Sequence, residues 1–282
     1  MKKIMMLMSM IFVLGSFPSA SHAKWTGSQS GQTSMPGMHG STKSGKAPLA
    51  YRASTVIGTW VKNKEGDYLG RITDLMIDPQ EGGMAFVVVS HGGVMGIPMS
   101  FDAVPFRALT FSEENHAYLL DMSKQKMTAV PSFPRDHWPD MANREWQTDT
   151  YRYYGQNPHW GESYEPVAPS WGKADRYDQI VGASVKNQQG EGLGKIRDLV
   201  IDSQGHVPLV ILTHGGFWGM GGKLVAIPFS ALNLDKKGKD FVFNSTQEKL
   251  DSAPAFRVND LSQEKWPEDV YRFFGQHPYW ME

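Results

Sequence analysis

The sequence predicts a mainly β protein: two small antiparallel β-barrels in tandem, each followed by a short aromatic C-terminal helix. Three observations carry this prediction. Residues 181–202 repeat residues 57–78 at an offset of 124, and the shared register, dropping to 123 after one loop deletion, holds as far as Phe133 and Phe256; agreement at fixed spacing over that length is duplication. Each copy contains five or six short runs rich in β-branched and aromatic residues, separated by turn signals and joined by connections too short for crossover helices. Each copy also closes on the same aromatic block: Trp146 followed by Tyr151-Arg152-Tyr153-Tyr154-Gly155, and Trp266 followed by Tyr271-Arg272-Phe273-Phe274-Gly275.

The N-terminus carries Lys2 and Lys3, an apolar run over residues 4–17, and Ser21-His22-Ala23. Positive charge, a short apolar segment and small residues before a cut are the marks of a secretory signal peptide, here residues 1–23 with cleavage after Ala23; the run is too short to span a bilayer. The chain is therefore expected in the periplasm or outside the cell, with no transmembrane segment after signal cleavage. The formal charge of −1 becomes −3 without Lys2 and Lys3 and gives no electrostatic reason to expect a nucleic-acid partner. Zero cysteines in an exported chain mean no disulfide framework and no thiolate metal site, so each barrel must stand on its own core.

Residues 24–50, rich in Gly, Ser, Thr and Gln, read as a flexible linker. The first repeat, residues 51–160, opens with a predicted hairpin: a strand over 56–62, a turn at Asn63-Lys64-Glu65-Gly66 and a second strand over 68–78. Leu69 and Ile72 lie three apart with Gly70 between them, and Leu193, Gly194 and Ile196 repeat the irregular step; a bulge or glycine bend there lets a strand curl to close a barrel. Residues 84–90 read as a strand buried on both faces, followed by His91-Gly92-Gly93, by Ala103-Val104-Pro105-Phe106 and by a strand near 117–120. Residues 161–176, with Pro166, Pro169 and Gly172, form a second linker. The second repeat, residues 177–282, retraces the first. In its tail Pro267 suits the first helical turn, Glu268 and Asp269 favour a helix N-terminus and Gly275 ends the helix.

The run from Gly182 through Val185, Asn187, Gly190, Leu193-Gly194, Ile196 and Asp198 to Ile201-Asp202, with Gly215-Gly216-Phe217-Trp218-Gly219-Met220-Gly221-Gly222-Lys223 and Ala226-Ile227-Pro228 after it, resembles the PRC-barrel family. That fold is shared by the cytoplasmic domain of the photosynthetic reaction-centre H subunit and by the C-terminal domain of a ribosome-maturation factor. The resemblance implies a compact, largely antiparallel six-stranded barrel used as an adaptor against other proteins or RNA, with no shared catalytic residue, in a form similar to exported bacterial envelope proteins. The first repeat departs from the pattern at Gly96-Ile97-Pro98-Met99-Ser100, where the second carries Gly219-Met220-Gly221-Gly222-Lys223.

Several residues invite a chemical reading. Asp74 with Asp78, and Asp198 with Asp202, share a strand face and suggest paired carboxylates; no nucleophile or matched histidine accompanies them, and a structural role is expected. His91 and His214 precede a Gly-Gly turn in both copies and are candidate metal ligands, as are Met35, Met38 and His39, whose thioether and imidazole groups suit Cu(I); strand-end and linker roles are the simpler expectation, and no cofactor is expected. The glycines around Lys223 lack Walker spacing and read as a hairpin loop. Tyr, Trp and Arg anchor interfaces, which makes Lys223, Phe217 and Trp218 in the loop, and Tyr151, Arg152, Trp160, Tyr271, Arg272, Phe274 and Trp280 in the tails, the candidate partner-binding residues. The alternative for the tails is that each covers its own barrel. The expected function is that of a non-catalytic envelope adaptor bound to other envelope proteins; the alternative is a periplasmic metal- or small-ligand-binding protein.

Overall fold

The computed structural model describes residues 50–78, 82–92, 100–140, 143–157, 176–216, 221–235 and 239–281, the side chain of Asp78 excepted. The chain enters through β1 (Ala50–Arg52) and a single helical turn, α1 (Ala53–Val56). The predicted first strand therefore starts later than Val56. The chain turns through Gly58, whose φ of 87° is left-handed, and β2 covers only Trp60–Lys62. Asn63 Oδ1 then accepts the Asp67 amide at 2.7 Å and Gly66 takes φ 86°, which closes the expected turn into β3 (Tyr68–Asp78).

The irregular Leu-Gly-x-Ile step is a bulge, as expected. Register shifts between Val61 and Lys62 against β3, and between Ile72 and Asp74 against β4 (Gly83–His91). A Cβ on Gly70 would lie 2.6 Å from the Ser90 carbonyl oxygen, so only glycine lets β4 approach this closely. The rest of the first sheet is β5 (Ser100–Pro105), β6 (Leu109–Ser112) and β7 (Ala117–Leu120), followed by the short α2 (Lys124–Met127) and the tail helix α3 (Arg144–Tyr153). Strand order is β5-β4-β3-β2-β7-β6, with β2 and β7 parallel and every other pair antiparallel.

The second repeat builds the same curled sheet. It has α4 (Tyr177–Ile180), β8 (Ser184–Lys186), β9 (Gly192–Asp202), β10 (Leu209–His214), β11 (Lys223–Pro228), β12 (Leu232–Leu234), β13 (Phe241–Phe243), α5 (Gln247–Ser252) and the tail helix α6 (Trp266–Phe274). The strands run β11-β10-β9-β8-β13-β12, and Gly194 sits against the Thr213 carbonyl as Gly70 sits against Ser90. Pro267 lies in the first turn of α6, and Gly275 stops the helix at φ 69°.

Both faces of β4 are covered, which is why residues 84–90 are buried without alternation. The inner faces form one continuous core that includes Val61, Ile72, Leu75 and Val104 from the first repeat and Val185, Leu199, Leu212 and Val225 from the second. The outer faces carry separate clusters. Phe86, Val88 and Phe133 pack with Tyr151 in the first repeat; Leu209, Ile211 and Phe256 pack with Trp266 and Tyr271 in the second.

The repeats exchange their lead-in segments. β1, ahead of the first sheet, pairs antiparallel with β9 of the second, Arg52 opposite Val200. Arg176, ahead of the second sheet, bridges Met76 of the first. These are equivalent positions in the duplication, so the exchange is reciprocal. On the axis between them, the Met84 amide donates to the Gly205 carbonyl at 2.5 Å and the Val207 amide to the Gly82 carbonyl at 2.8 Å. Among the described residues no helix is long and apolar enough to cross a membrane.

Candidate functional site

The aspartates on β3 and β9 lock this exchange. Asp198 is 1% exposed and accepts from Arg52 Nε at 2.7 Å, Ser54 Oγ at 2.6 Å, the Ser54 amide at 3.1 Å, Tyr177 Oη at 3.0 Å and the Leu199 amide at 2.9 Å. Asp74 holds Arg176 Nε at 3.1 Å and the Leu75 amide at 2.9 Å. Burial raises the Asp74 pKa first, the nearby Asp178 adds to it, and Arg176 opposes both. Asp202 belongs to another network: it binds His206 Nδ1 at 2.8 Å and the Tyr279 hydroxyl. Burial would raise its pKa, but those partners overcome it and hold the carboxyl below its ordinary value. The Asp198 and Asp202 carboxylates thus belong to separate hydrogen-bond networks; the side chain of Asp78 lies outside the described residues.

His91 and His214 stay in their own sheets and do not converge. His91 Nε2 lies 3.0 Å from Asp102 Oδ2 and 3.3 Å from Ser132 Oγ; only the contact with serine is aligned as a hydrogen bond. His214 Nδ1 faces the Leu193 carbonyl at 2.6 Å, and its Nε2 meets Asp251 at 3.0 Å. No group of three or more His, Cys, Asp or Glu suited to a metal occurs among the described residues. The Asp102 carboxylate raises the His91 pKa by its close polar approach and, to a smaller degree, by its charge, against the opposing effect of burial. A histidine whose folded pKa is raised contributes stability fully below its unfolded pKa of about 6.5 and loses that contribution as pH rises through the folded value. Wild-type melting temperature is therefore expected to fall more steeply as pH rises above about 6.5 than that of His91→Asn; parallel curves would refute the assignment.

The tails pack on their own repeats. Tyr151 and Tyr271 are each 2% exposed; the Tyr271 hydroxyl donates to the Pro208 carbonyl at 2.9 Å and that of Tyr151 to Ala85 at 3.3 Å. Phe274 meets Phe243 at 5.4 Å and Trp280 meets Tyr271 at 5.3 Å between ring centroids. Arg152 and Arg272 face solvent and pair with acids of their own helices, Asp149 for the first and Glu268 and Asp269 for the second. Lys223 Nζ donates to the Leu250 and Asp251 carbonyls at 3.1 and 2.6 Å, capping the end of α5. Phe217, Trp218, Trp160, Met35, Met38 and His39 lie outside the described residues.

Among the described residues an open aromatic surface lies on the first hairpin, and sequence reasoning missed it. Trp60 is 44% and Tyr68 54% exposed, with ring centroids 5.0 Å apart in an edge-on pair. Arg71 lies over Trp60 at 5.4 Å and Lys62 over Tyr68 at 4.7 Å. Cross-strand register creates this arrangement, since Trp60 faces Arg71 and Lys62 faces Tyr68, while Val61 between them points into the core. Arg71 Nε donates to the Gly58 carbonyl at 2.5 Å, which fixes the guanidinium and leaves its other donors outward. Neither Arg71 nor Lys62 has a carboxylate partner among the described residues. In the second repeat the same positions are Ser184, Lys195, Lys186 and Gly192. The cations persist while both rings are lost, a difference visible on aligning the two copies.

A family model described as the PRC-barrel domain matches residues 49–127 and again 172–250. The chain belongs to the PRC-barrel family. The two matches bracket the two curled sheets, and each begins at or before the lead-in segment that crosses to the other PRC-barrel. A search of curated proteins returns no match. Two PRC-barrel domains support a role of the protein-interaction type at the coarsest level, and the open ring–cation surface belongs to the first PRC-barrel alone.

Proposed function

We propose that this PRC-barrel protein is a non-catalytic adaptor of the cell envelope, exported by its N-terminal segment, which holds a partner protein on the outer face of its first hairpin. The observation that carries the reading is the solvent-facing set Trp60, Tyr68, Arg71 and Lys62. Trp, Tyr and Arg dominate the energy of protein interfaces, and here rings and cations already rest against one another, so little side-chain entropy remains to be lost on docking. The exchanged lead-ins support it further, because they make the two barrels a single platform.

A photo-crosslinking residue placed at position 68 is expected to trap a discrete partner, whereas the same residue at position 192 traps none. Trp60→Ala is expected to weaken the captured complex about tenfold or more. Equal capture from both positions, or capture indifferent to Trp60→Ala, would rule the surface out.

A further inference from the structure

On the outer face of the first hairpin, rings and cations alternate. Trp60 and Lys62 lie two apart on β2, opposite Arg71 and Tyr68 on β3, so the rings take one diagonal of a square and the cations the other. The rings close their diagonal, with centroids 5.0 Å apart. The cations flank it, their backbone positions about 8 Å apart by the spacing of strands and residues in a sheet. Arg71 Nε donates to the Gly58 carbonyl, and no acceptor among the described residues takes the N–H bonds of its two terminal nitrogens. Lys62 Nζ rests over the Tyr68 ring, likewise without an acceptor among the described residues.

The second repeat supplies an internal comparison. There Lys186, the counterpart of Lys62, donates to Asp240 at 2.5 Å, so its charge is answered within the chain. Val61 pairs with Tyr118, and Val185 with Phe241, which sets Ala117 of the first repeat at the place of Asp240. The first repeat thus lacks the internal counter-ion of this lysine. It carries instead the two rings that the second lacks, where Ser184 and Gly192 stand. Both differences fall on one hairpin face, and together they leave its positive charge to an outside group.

We propose that this face holds an extended acidic segment of a partner protein, whose carboxylates meet Arg71 and Lys62 while its chain lies across the Trp60–Tyr68 ring pair. The assignment rests on the adaptor reading above and adds the partner's chemistry to it. In an extended chain, side chains two residues apart share a face at a spacing of about 7 Å, close to the diagonal between the two cations. The guanidinium can take one carboxylate through two parallel N–H bonds, and the ammonium can take the next as a point charge. A broad anionic surface such as a lipid bilayer fits less well. It would also meet the exposed Glu65 and Asp67 at the tip of the same hairpin, which a narrow segment passes by.

The test titrates the mature full-length protein with the peptide Gly-Ser-Glu-Leu-Glu-Leu-Glu-Ser-Gly and with its glutamine and lysine counterparts, following the indole NMR signal of Trp60. The acidic peptide is expected to saturate one site and to lose most of its affinity at about 0.5 M salt, where screening acts within about 4 Å. Arg71→Gln is expected to weaken it about tenfold and Lys62→Gln about threefold. The double reversal Lys62→Glu, Arg71→Glu is expected to bind the lysine peptide in its place. Should Arg71→Gln unfold the hairpin by losing the Gly58 contact, Lys62→Gln and the salt dependence still decide. No binding of the acidic peptide, equal binding of its glutamine counterpart, or a Trp60 signal moved by phosphatidylglycerol vesicles and not by the peptide would each overturn the assignment. The crosslink at position 68 reports separately on the adaptor reading. A partner trapped there whose capture withstands high salt and Arg71→Gln leaves that reading standing and overturns the acidic assignment; peptide binding with no trapped partner upholds the assignment and removes the reading.

Discussion

Asp198→Ala is expected to destabilise the protein by about 3–5 kcal/mol, the cost of removing one member of a buried ion pair. The change leaves the Arg52 guanidinium, the Ser54 amide and hydroxyl, the Tyr177 hydroxyl and the Leu199 amide without their shared acceptor. Urea denaturation followed by the indole NMR signals assigned to Trp60 in one repeat and Trp266 in the other measures it. Because β1 crosses to β9, both probes are expected to shift together. In the double variant Arg52→Met, Asp198→Ala the loss is expected to be smaller than the sum of the two single effects. A loss below about 1 kcal/mol, the size typical of exposed pairs, would show that the lead-in is held by its backbone ladder alone.

Tyr271→Ala is expected to cost about 3–5 kcal/mol, the range for emptying a buried aromatic site. Its ring packs on the outer cluster with Leu209, Ile211 and Trp266, and its hydroxyl satisfies the Pro208 carbonyl. Tyr271→Phe removes only the hydrogen bond and is expected to cost about 1 kcal/mol. Deleting residues 262–282 uncovers Val200, Leu209, Ile211 and Ala226 at once, and is expected to abolish cooperative unfolding of the second repeat in calorimetry. A truncated chain that melts like wild type yet no longer captures a partner would instead give the tail the binding role.

The elements that were legible in the sequence are those whose cause is local. The Leu-Gly-x-Ile step announces a close strand approach because a glycine is needed wherever a neighbouring carbonyl occupies the place of a Cβ, as at Gly70 and Gly194. Helix α6 is written in Pro267, its acidic first turn and Gly275. The lead-in segments were not legible. Arg52 and Arg176 fall at or just beyond the ends of stretches whose composition reads as linker, and nothing local shows that each is held by an aspartate of the other repeat, 146 residues away for Arg52 and 102 for Arg176. Trp60 reads as part of a strand with no face assigned to it; alternation with the buried Val61 turns it outward. Lys223 drew notice as the feature distinguishing the two loops, and it caps a helix. The differences left open for chemistry are quieter ones: Trp60 against Ser184 and Tyr68 against Gly192.

The reciprocal crossing of β1 and Arg176 has the form of an isologous dimer joined into one polypeptide: position for position, each half gives the other what it receives. Two separate chains with such an interface must remain identical, so any site on one appears on both. Covalent fusion removes that constraint. One half can keep a plain outer face while the other gains a ring–cation surface, with the shared two-fold scaffold unchanged beneath both.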